Sequence, residues 1–195
     1  MTDNAETIEQ WSLRPYLSES LRATVAASDI LFVPTEGYVD RPNLLFFPSG
    51  TTDFFDFVQR GLAPGTSVEV CIDDADYCEV GRHADELYIA AVIVKLLAAP
   101  LFVSLLAEYI KRKVGKKATE TTLKTSITFQ DHQTGKAVRL DYDGPAEAFE
   151  RTALATIRQI EGGGPAELST SNGSTRERSQ LPSATPSPRR KKRRK

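Results

Sequence analysis

The chain has little cysteine and histidine, and it lacks the glycine signatures of nucleotide-binding loops. Only two residues of each type occur among its 195 residues, Cys71, Cys78, His83 and His132. Zinc sites and disulfide frameworks need more of these residues at closer spacing. Neither G-x-x-x-x-G-K nor G-x-G-x-x-G is present. We therefore expect no cofactor and no structural metal, although Ser49-Gly50-Thr51-Thr52 offers backbone N–H groups between an inferred strand and helix, where phosphate could bind.

The chain also lacks the start of an exported protein. Its first thirty residues contain no basic stretch followed by an apolar run, so the sequence predicts no signal peptide. Together with the few cysteines, this favours a reducing, cytoplasmic setting.

Acidic residues are scarce towards the end of the chain. Residues 1–162 carry sixteen Lys/Arg against twenty-four Asp/Glu, a net charge of −8, whereas residues 163–195 carry nine against two, a net charge of +7. The last seven residues are all basic: Arg189, Arg190, Lys191, Lys192, Arg193, Arg194 and Lys195. The segment is rich in Ser, Pro and Gly and has almost nothing to bury, which predicts a disordered tail.

Such a tail attracts polyanions by charge alone. We expect weak, salt-sensitive contacts to nucleic acid phosphates or an anionic membrane surface, without base readout because residues 163–195 contain no aromatic side chain. In a eukaryotic cell the same run would be typical of a nuclear localisation signal.

The remaining 162 residues fit one acidic α+β (or α/β) domain. Buried strands are predicted at 30–34 and 44–48, a helix at 16–27 and a third strand at 68–72. A β-hairpin is predicted over residues 123–142, followed by a closing helix at 145–161 that begins at a proline.

The apolar stretch over residues 85–113 is ambiguous. Residues 87–107 are about long enough to span a bilayer, which needs roughly 20 apolar residues. Lys95 and Pro100 oppose insertion, at about 2.5–3.5 kcal/mol for the lysine on insertion scales. We prefer a pair of core helices, 85–99 and 100–113, that docks a protein partner or a second copy. The residues assigned to this interaction are Leu87, Lys95, Leu101, Phe102, Leu105 and Tyr109. If residues 87–107 did span, the basic residues that follow would place the C-terminal side in the cytoplasm.

Three carboxylates follow the third predicted strand. Asp73, Asp74 and Asp76 are the best candidates for a catalytic metal site, because hydrolytic sites are often built from carboxylates at strand ends. The run lacks the glycine and distal glutamate of a calcium loop, so a solvated acidic turn is the simpler interpretation.

Residues 87–161 combine three features in order. A long apolar stretch, predicted to be helical, ends in Lys111-Arg112-Lys113, a hairpin returns through G-K-x-V-R-L at 135–140, and a helix opens with D-G-P-A-E-A at 143–148. This order resembles the effector-associated adaptor domains of bacterial conflict and defence systems, and small bacterial proteins without assigned function. The resemblance implies a noncatalytic module that couples other proteins.

We therefore expect a noncatalytic interaction or adaptor protein with a cationic tail, and we expect it to have no small-molecule substrate. A membrane-anchored component spanning at 87–107 and a metal-dependent hydrolase using Asp73, Asp74 and Asp76 are the alternatives.

Overall fold

The computed structural model of the chain describes residues 5–38, 41–81, 86–117 and 120–162. The polybasic run at 189–195 and His83 lie outside these ranges. The helices are α1 (Ile8–Ser12), α2 (Glu19–Ala27), α3 (Thr51–Gly61), α4 (Ala99–Val114) and α5 (Phe149–Glu161). The strands are β1 (Ile30–Val33), β2 (Thr35–Tyr38), β3 (Arg41–Pro48), β4 (Val68–Val70), β5 (Glu79–Val80), β6 (Glu86–Tyr88), β7 (Ala91–Lys95), β8 (Thr122–Gln130) and β9 (Ala137–Pro145).

A mixed sheet forms the centre of the molecule. The strands of this sheet lie in the order β4, β1, β7, β8 and β9. Strands β6 and β7 both pair with the same edge of β8. The β1–β4 and β7–β8 pairs are parallel, whereas β1–β7 and β8–β9 are antiparallel. Strand β4 therefore lies at one end of the sheet and β9 at the other.

Helices cover both faces of this sheet. On one face α3, α4 and α5 pack over Ile30, Phe32, Val92 and Val94. On the other face the short helices α1 and α2 pack over Leu31, which belongs to a separate apolar cluster. Because successive strand residues point to opposite faces, β1 needs an apolar side chain at every position, and all four of its residues are buried.

A second, smaller sheet flanks the first. Strand β3 pairs antiparallel with β2 and parallel with β5. The β3–β5 pair brings Glu79 beside the turn that follows β3, which places its carboxylate at the start of α3.

The predicted α+β class is confirmed, with a hairpin and a closing helix near the C-terminal end of the described chain. Residues 122–145 form the β8–β9 hairpin, and α5 follows after a short 3-10 turn at Ala146–Ala148. Helix α1 was not predicted: the first predicted helix was at residues 16–27, whereas residues 8–12 already form α1. Thr7 accepts a hydrogen bond from the Gln10 backbone N–H while the Gln10 side chain accepts one from the Thr7 N–H, a capping box that fixes this helix.

The predicted helix over residues 85–99 is wrong. Residues 86–88 and 91–95 form strands β6 and β7, and only the second predicted helix exists, as α4 with Pro100 in its first turn. The stretch 87–107 is consequently not one continuous helix. Among the described residues, no helix combines the length and the apolar character needed to cross a membrane.

Candidate functional site

The predicted carboxylates do not converge. Asp73 accepts hydrogen bonds from the Ser18 backbone N–H (3.0 Å) and from Ser18 Oγ (2.8 Å), so it ties the start of α2 to the segment after β4. Asp74 and Asp76 are exposed in a 3-10 turn. In the described part of the chain, no group of three or more His, Cys, Asp or Glu side chains is placed to hold a metal ion.

The cysteines and the described histidine form no reactive cluster. Cys71 is fully buried beneath α1, and this burial raises the pKa of its thiol to about 12. Cys78 is half-buried, and both cysteines are free thiols. His132 is exposed in the β8–β9 loop. A thiol held neutral, as that of Cys71 is, acts as a packing group rather than a nucleophile.

The Ser49–Thr52 turn, the candidate for phosphate binding, is engaged by a carboxylate of the chain itself. Gly50, at φ 88°, precedes the first turn of α3 and has no side chain to cap it. Glu79 Oε2 accepts from the Gly50 N–H (2.7 Å), and its Oε1 accepts from the Thr52 N–H and Oγ1 (both 2.8 Å) and from the Tyr77 hydroxyl (2.8 Å). Burial by itself raises the pKa of Glu79, but these hydrogen bonds outweigh it and the net pKa is lowered.

The residues assigned to an interaction helix are divided between core and surface. Phe102 and Tyr109 are buried under α3, where Tyr109 also donates to the Gly50 carbonyl oxygen (3.3 Å). Leu87 lies half-buried in β6, and Lys95, at the end of β7, pairs with Asp29 at 3.6 Å. Only two residues of the set, Leu101 and Leu105, remain half-exposed on α4.

Leu105 lies on the flank of α4 that faces α3, and Leu101 lies one turn earlier on the same side of the helix. A groove of about 480 Å³ opens between the two helices there. It is lined by Phe57, Arg60, Gly61, Leu105, Glu108 and Arg112. The Arg112 guanidinium lies 4.9 Å from the centre of the Phe57 ring and pairs with Glu108, so an apolar floor is bordered by charge.

Leu97 is a further exposed apolar side chain, four residues before Leu101. It lies in the turn that leads directly into α4, and 98% of its surface is exposed. Leu97, Leu101 and Leu105 are spaced four residues apart, which places them along one side of a helical segment. The four-residue spacing is visible in the sequence, but the incorrect prediction of a helix over 85–99 placed Leu97 inside a helix and not in the turn before α4.

Another cavity lies on the opposite face of the sheet. It measures about 530 Å³ and opens beside α1, with Val33 and Ile93 in its floor. Its charged residues are already in ion pairs: Arg14 with Glu6 at 2.8 Å and with Glu36 at 3.4 Å, and Arg139 with Asp141 at 2.8 Å. Every charged residue that lines the cavity is therefore already engaged by another residue of the described chain.

A third cleft lies at the free edge of β4 and measures about 310 Å³. Its lining combines the apolar residues Phe55, Val70, Ile72 and Tyr77 with Thr52, Asp56 and Asp74. This cleft differs from the α3–α4 groove and from the cavity beside α1. Its carboxylates, Asp56 and Asp74, lie beside aromatic rings and have no basic partner in the described ranges.

Comparison with protein-family models, with curated proteins and with solved structures gave no match. Function is accordingly inferred from the geometry of these surfaces.

Proposed function

We propose that this chain is a noncatalytic interaction protein that docks a protein partner through the groove between α3 and α4. The observation that carries the proposal is the row Leu97, Leu101 and Leu105, of which Leu97 is 98% exposed. An isolated exposed leucine needs no explanation, but three leucines spaced four residues apart, the last of which lines the groove, form an apolar row of the kind found at interfaces.

The composition of the groove supports the same proposal. An apolar centre, Phe57 and Leu105, is bordered by Arg60, Glu108 and Arg112. Interfaces commonly combine an apolar centre with a polar rim in which arginine is enriched. An amphipathic helix of the partner, with its apolar residues three and four apart, is the segment that such a groove accommodates.

The cationic tail contributes attraction rather than selectivity in this proposal. Its seven terminal basic residues would contact phosphates of nucleic acid or of an anionic surface through counterion release, and such contacts weaken steeply with salt. The resemblance of residues 87–161 to adaptor domains of bacterial defence systems favours the same class of function. Selectivity would then reside in the α3–α4 groove.

The proposal is tested by photocrosslinking in the cells that produce the protein. Benzoylphenylalanine replaces Leu97 in one variant and Leu13 in the other. Leu13 is a matched control, since it is 77% exposed but follows α1 on the opposite face of the sheet. We expect a discrete crosslinked species from position 97 and none from position 13.

An accompanying substitution separates binding from folding, with benzoylphenylalanine placed at position 101 instead. Leu97→Ser removes an exposed side chain, so its effect on the free energy of unfolding should lie within about 0.5 kcal/mol, whereas the crosslink from position 101 should be lost. A crosslinked species of twice the chain mass would identify a second copy as the partner. Equal crosslinking from positions 13 and 97 would refute the groove as the docking site.

A further inference from the structure

We propose that the cleft at the free edge of β4 binds basic side chains of the chain's own C-terminal run, residues 189–195. The contact would hold the run against the body and reduce its availability to polyanions. It uses a surface separate from the α3–α4 groove and does not depend on the function proposed for that groove.

Most of the net negative charge of the body comes from the segment of the chain that supplies the lining of this cleft. Residues 51–81 contain seven carboxylates and one basic residue, Arg60, which gives them a net charge of −6. This is three quarters of the net charge of −8 that residues 1–162 carry. The carboxylates are Asp53, Asp56, Glu69, Asp73, Asp74, Asp76 and Glu79. The tail, at +7, is the complementary charge on the same chain.

Several of these carboxylates already have partners within the described ranges. Asp53 pairs with Lys113 at 3.1 Å, Glu79 caps α3, and Asp73 binds Ser18. Asp56 and Asp74 line the cleft, and within the described ranges neither forms an ion pair. Both are exposed, so a basic side chain can reach them without desolvating a buried charge.

The apolar part of the cleft fits the rest of an arginine or lysine side chain. Phe55 and Tyr77 contribute aromatic rings, and Val70 and Ile72 contribute aliphatic surface. A guanidinium stacks on aromatic faces and binds carboxylates in a bidentate manner, while its aliphatic stem covers apolar surface. A cleft with carboxylates beside aromatic rings is therefore chemically matched to arginine.

The connection is long enough to reach. Helix α5 packs against α4 and β9, at the end of the sheet opposite to β4. Four strand spacings separate β9 from β4, about 19 Å at about 4.8 Å each. The 26 residues between Gly162 and Arg189 span up to about 86 Å when extended. The run can thus reach the cleft within one molecule, which raises its effective concentration there.

Limited digestion of the full chain with trypsin tests the contact. The rate at which residues 189–195 are removed is followed by mass spectrometry for the unmodified chain and for the double variant Asp56→Asn, Asp74→Asn. The matched control is Glu147→Gln, Glu161→Gln, which removes the same charge from two exposed positions flanking α5. Thermal unfolding verifies that all three chains are folded.

At about 0.1 M NaCl we expect the run to be cleaved roughly fivefold faster in the Asp56/Asp74 variant than in the unmodified chain, the factor expected for two or three surface ion pairs. The control variant should behave as the unmodified chain. At about 1 M NaCl, where the Debye length falls to about 3 Å, the difference should disappear.

Two results would overturn the proposal. Equal cleavage rates in the unmodified chain and the Asp56/Asp74 variant would show that the cleft does not hold the run. Protection that rises in proportion to protein concentration would show that the cleft is filled by the run of a second copy, which contradicts an intramolecular contact.

Discussion

Glu79 should contribute more to the stability of this protein than any exposed carboxylate, because it caps the start of α3, where the preceding residue has no side chain that could do so. The first N–H groups of a helix have no intrahelical acceptor. The residue that precedes α3, Gly50, is suited to φ 88° but brings no side-chain oxygen. The carboxylate of Glu79, twenty-nine residues later in the chain, accepts from the Gly50 N–H instead.

The perturbation is Glu79→Gln, which preserves size but removes the charge and one acceptor. The two carboxylate oxygens accept from different groups, Oε2 from Gly50 and Oε1 from Thr52 and Tyr77. An amide oxygen can replace only one of them, and the amide NH₂ then faces donors. A hydrogen bond to a charged group contributes about 1.5–3 kcal/mol, and the helix dipole about 0.3–1 kcal/mol. Because Glu79 is half-buried and partly screened, we expect a loss of about 1.5–2 kcal/mol.

Chemical denaturation near pH 7 measures this loss, with Glu120→Gln as an exposed control of the same charge change. For a domain of this size the loss corresponds to a decrease in Tm of roughly 3–8 °C. The folded-state pKa of Glu79 lies below its ordinary value of 4.5. Its stabilisation is therefore fully present above pH 4.5 and is lost as the pH falls through the folded-state pKa.

The difference in stability between the unmodified chain and the Glu79→Gln variant should accordingly shrink on acidification. A loss below about 0.5 kcal/mol near pH 7, the range of ordinary surface substitutions, would refute the capping role. A difference that stays constant down to about pH 3 would contradict the charge-based part of the reasoning.

Two further predictions concern packing. A Cβ at Gly61 would lie 3.2 Å from Leu105 Cδ1 and closer still to Cδ2, so the half-exposed Leu105 side chain must shift in Gly61→Ala, at a cost of about 0.5–1.5 kcal/mol against a gain of up to about 1 kcal/mol in helix propensity. In a Leu105→Ala background only the gain should remain, and a double-mutant cycle should give a coupling of about 0.5–1.5 kcal/mol; additivity would contradict the close approach of α3 and α4. Burial raises the pKa of the Cys71 thiol to about 12, so iodoacetamide near pH 8 should modify Cys78 first and Cys71 only on unfolding. Mass spectrometry of the native protein measures the labelling of each cysteine. Equal labelling of the two would contradict the burial of Cys71 beneath α1.

Local patterns predicted those elements whose signal lies within a few residues. The alternation of Leu123, Ile127 and Phe129 and the loop at residues 131–136 predicted the β8–β9 hairpin, and the apolar spacing after Pro145 predicted α5. Helix α1 was missed although its signal was also local. Thr7 and Gln10 have the spacing of a capping box immediately around Ile8 and Trp11.

Partners that lie far apart in sequence could not be predicted in this way. Asp73, Asp74 and Asp76 look equivalent along the chain, yet Asp73 binds Ser18, 55 residues away, while Asp74 lines a cleft with Asp56. Likewise, nothing near Gly50 indicates that Glu79 will cap α3. Such roles follow from the pairing of β3 with β5 and from the contact of α2 with β4, which are properties of the topology.

The error over residues 85–99 has the clearest physical cause. An apolar run buried on both faces has no period, so a strand and a buried helix give the same pattern. Strand β7 is such a run, because Val92 and Val94 pack under α3 and α4 while Ile93 packs under α1. A run of the same kind at residues 30–34 was correctly predicted as a strand. The β-branched sequence Val92-Ile93-Val94 favours a strand for the same reason, and Lys95, which opposed insertion into a membrane, ends β7 in an ion pair with Asp29.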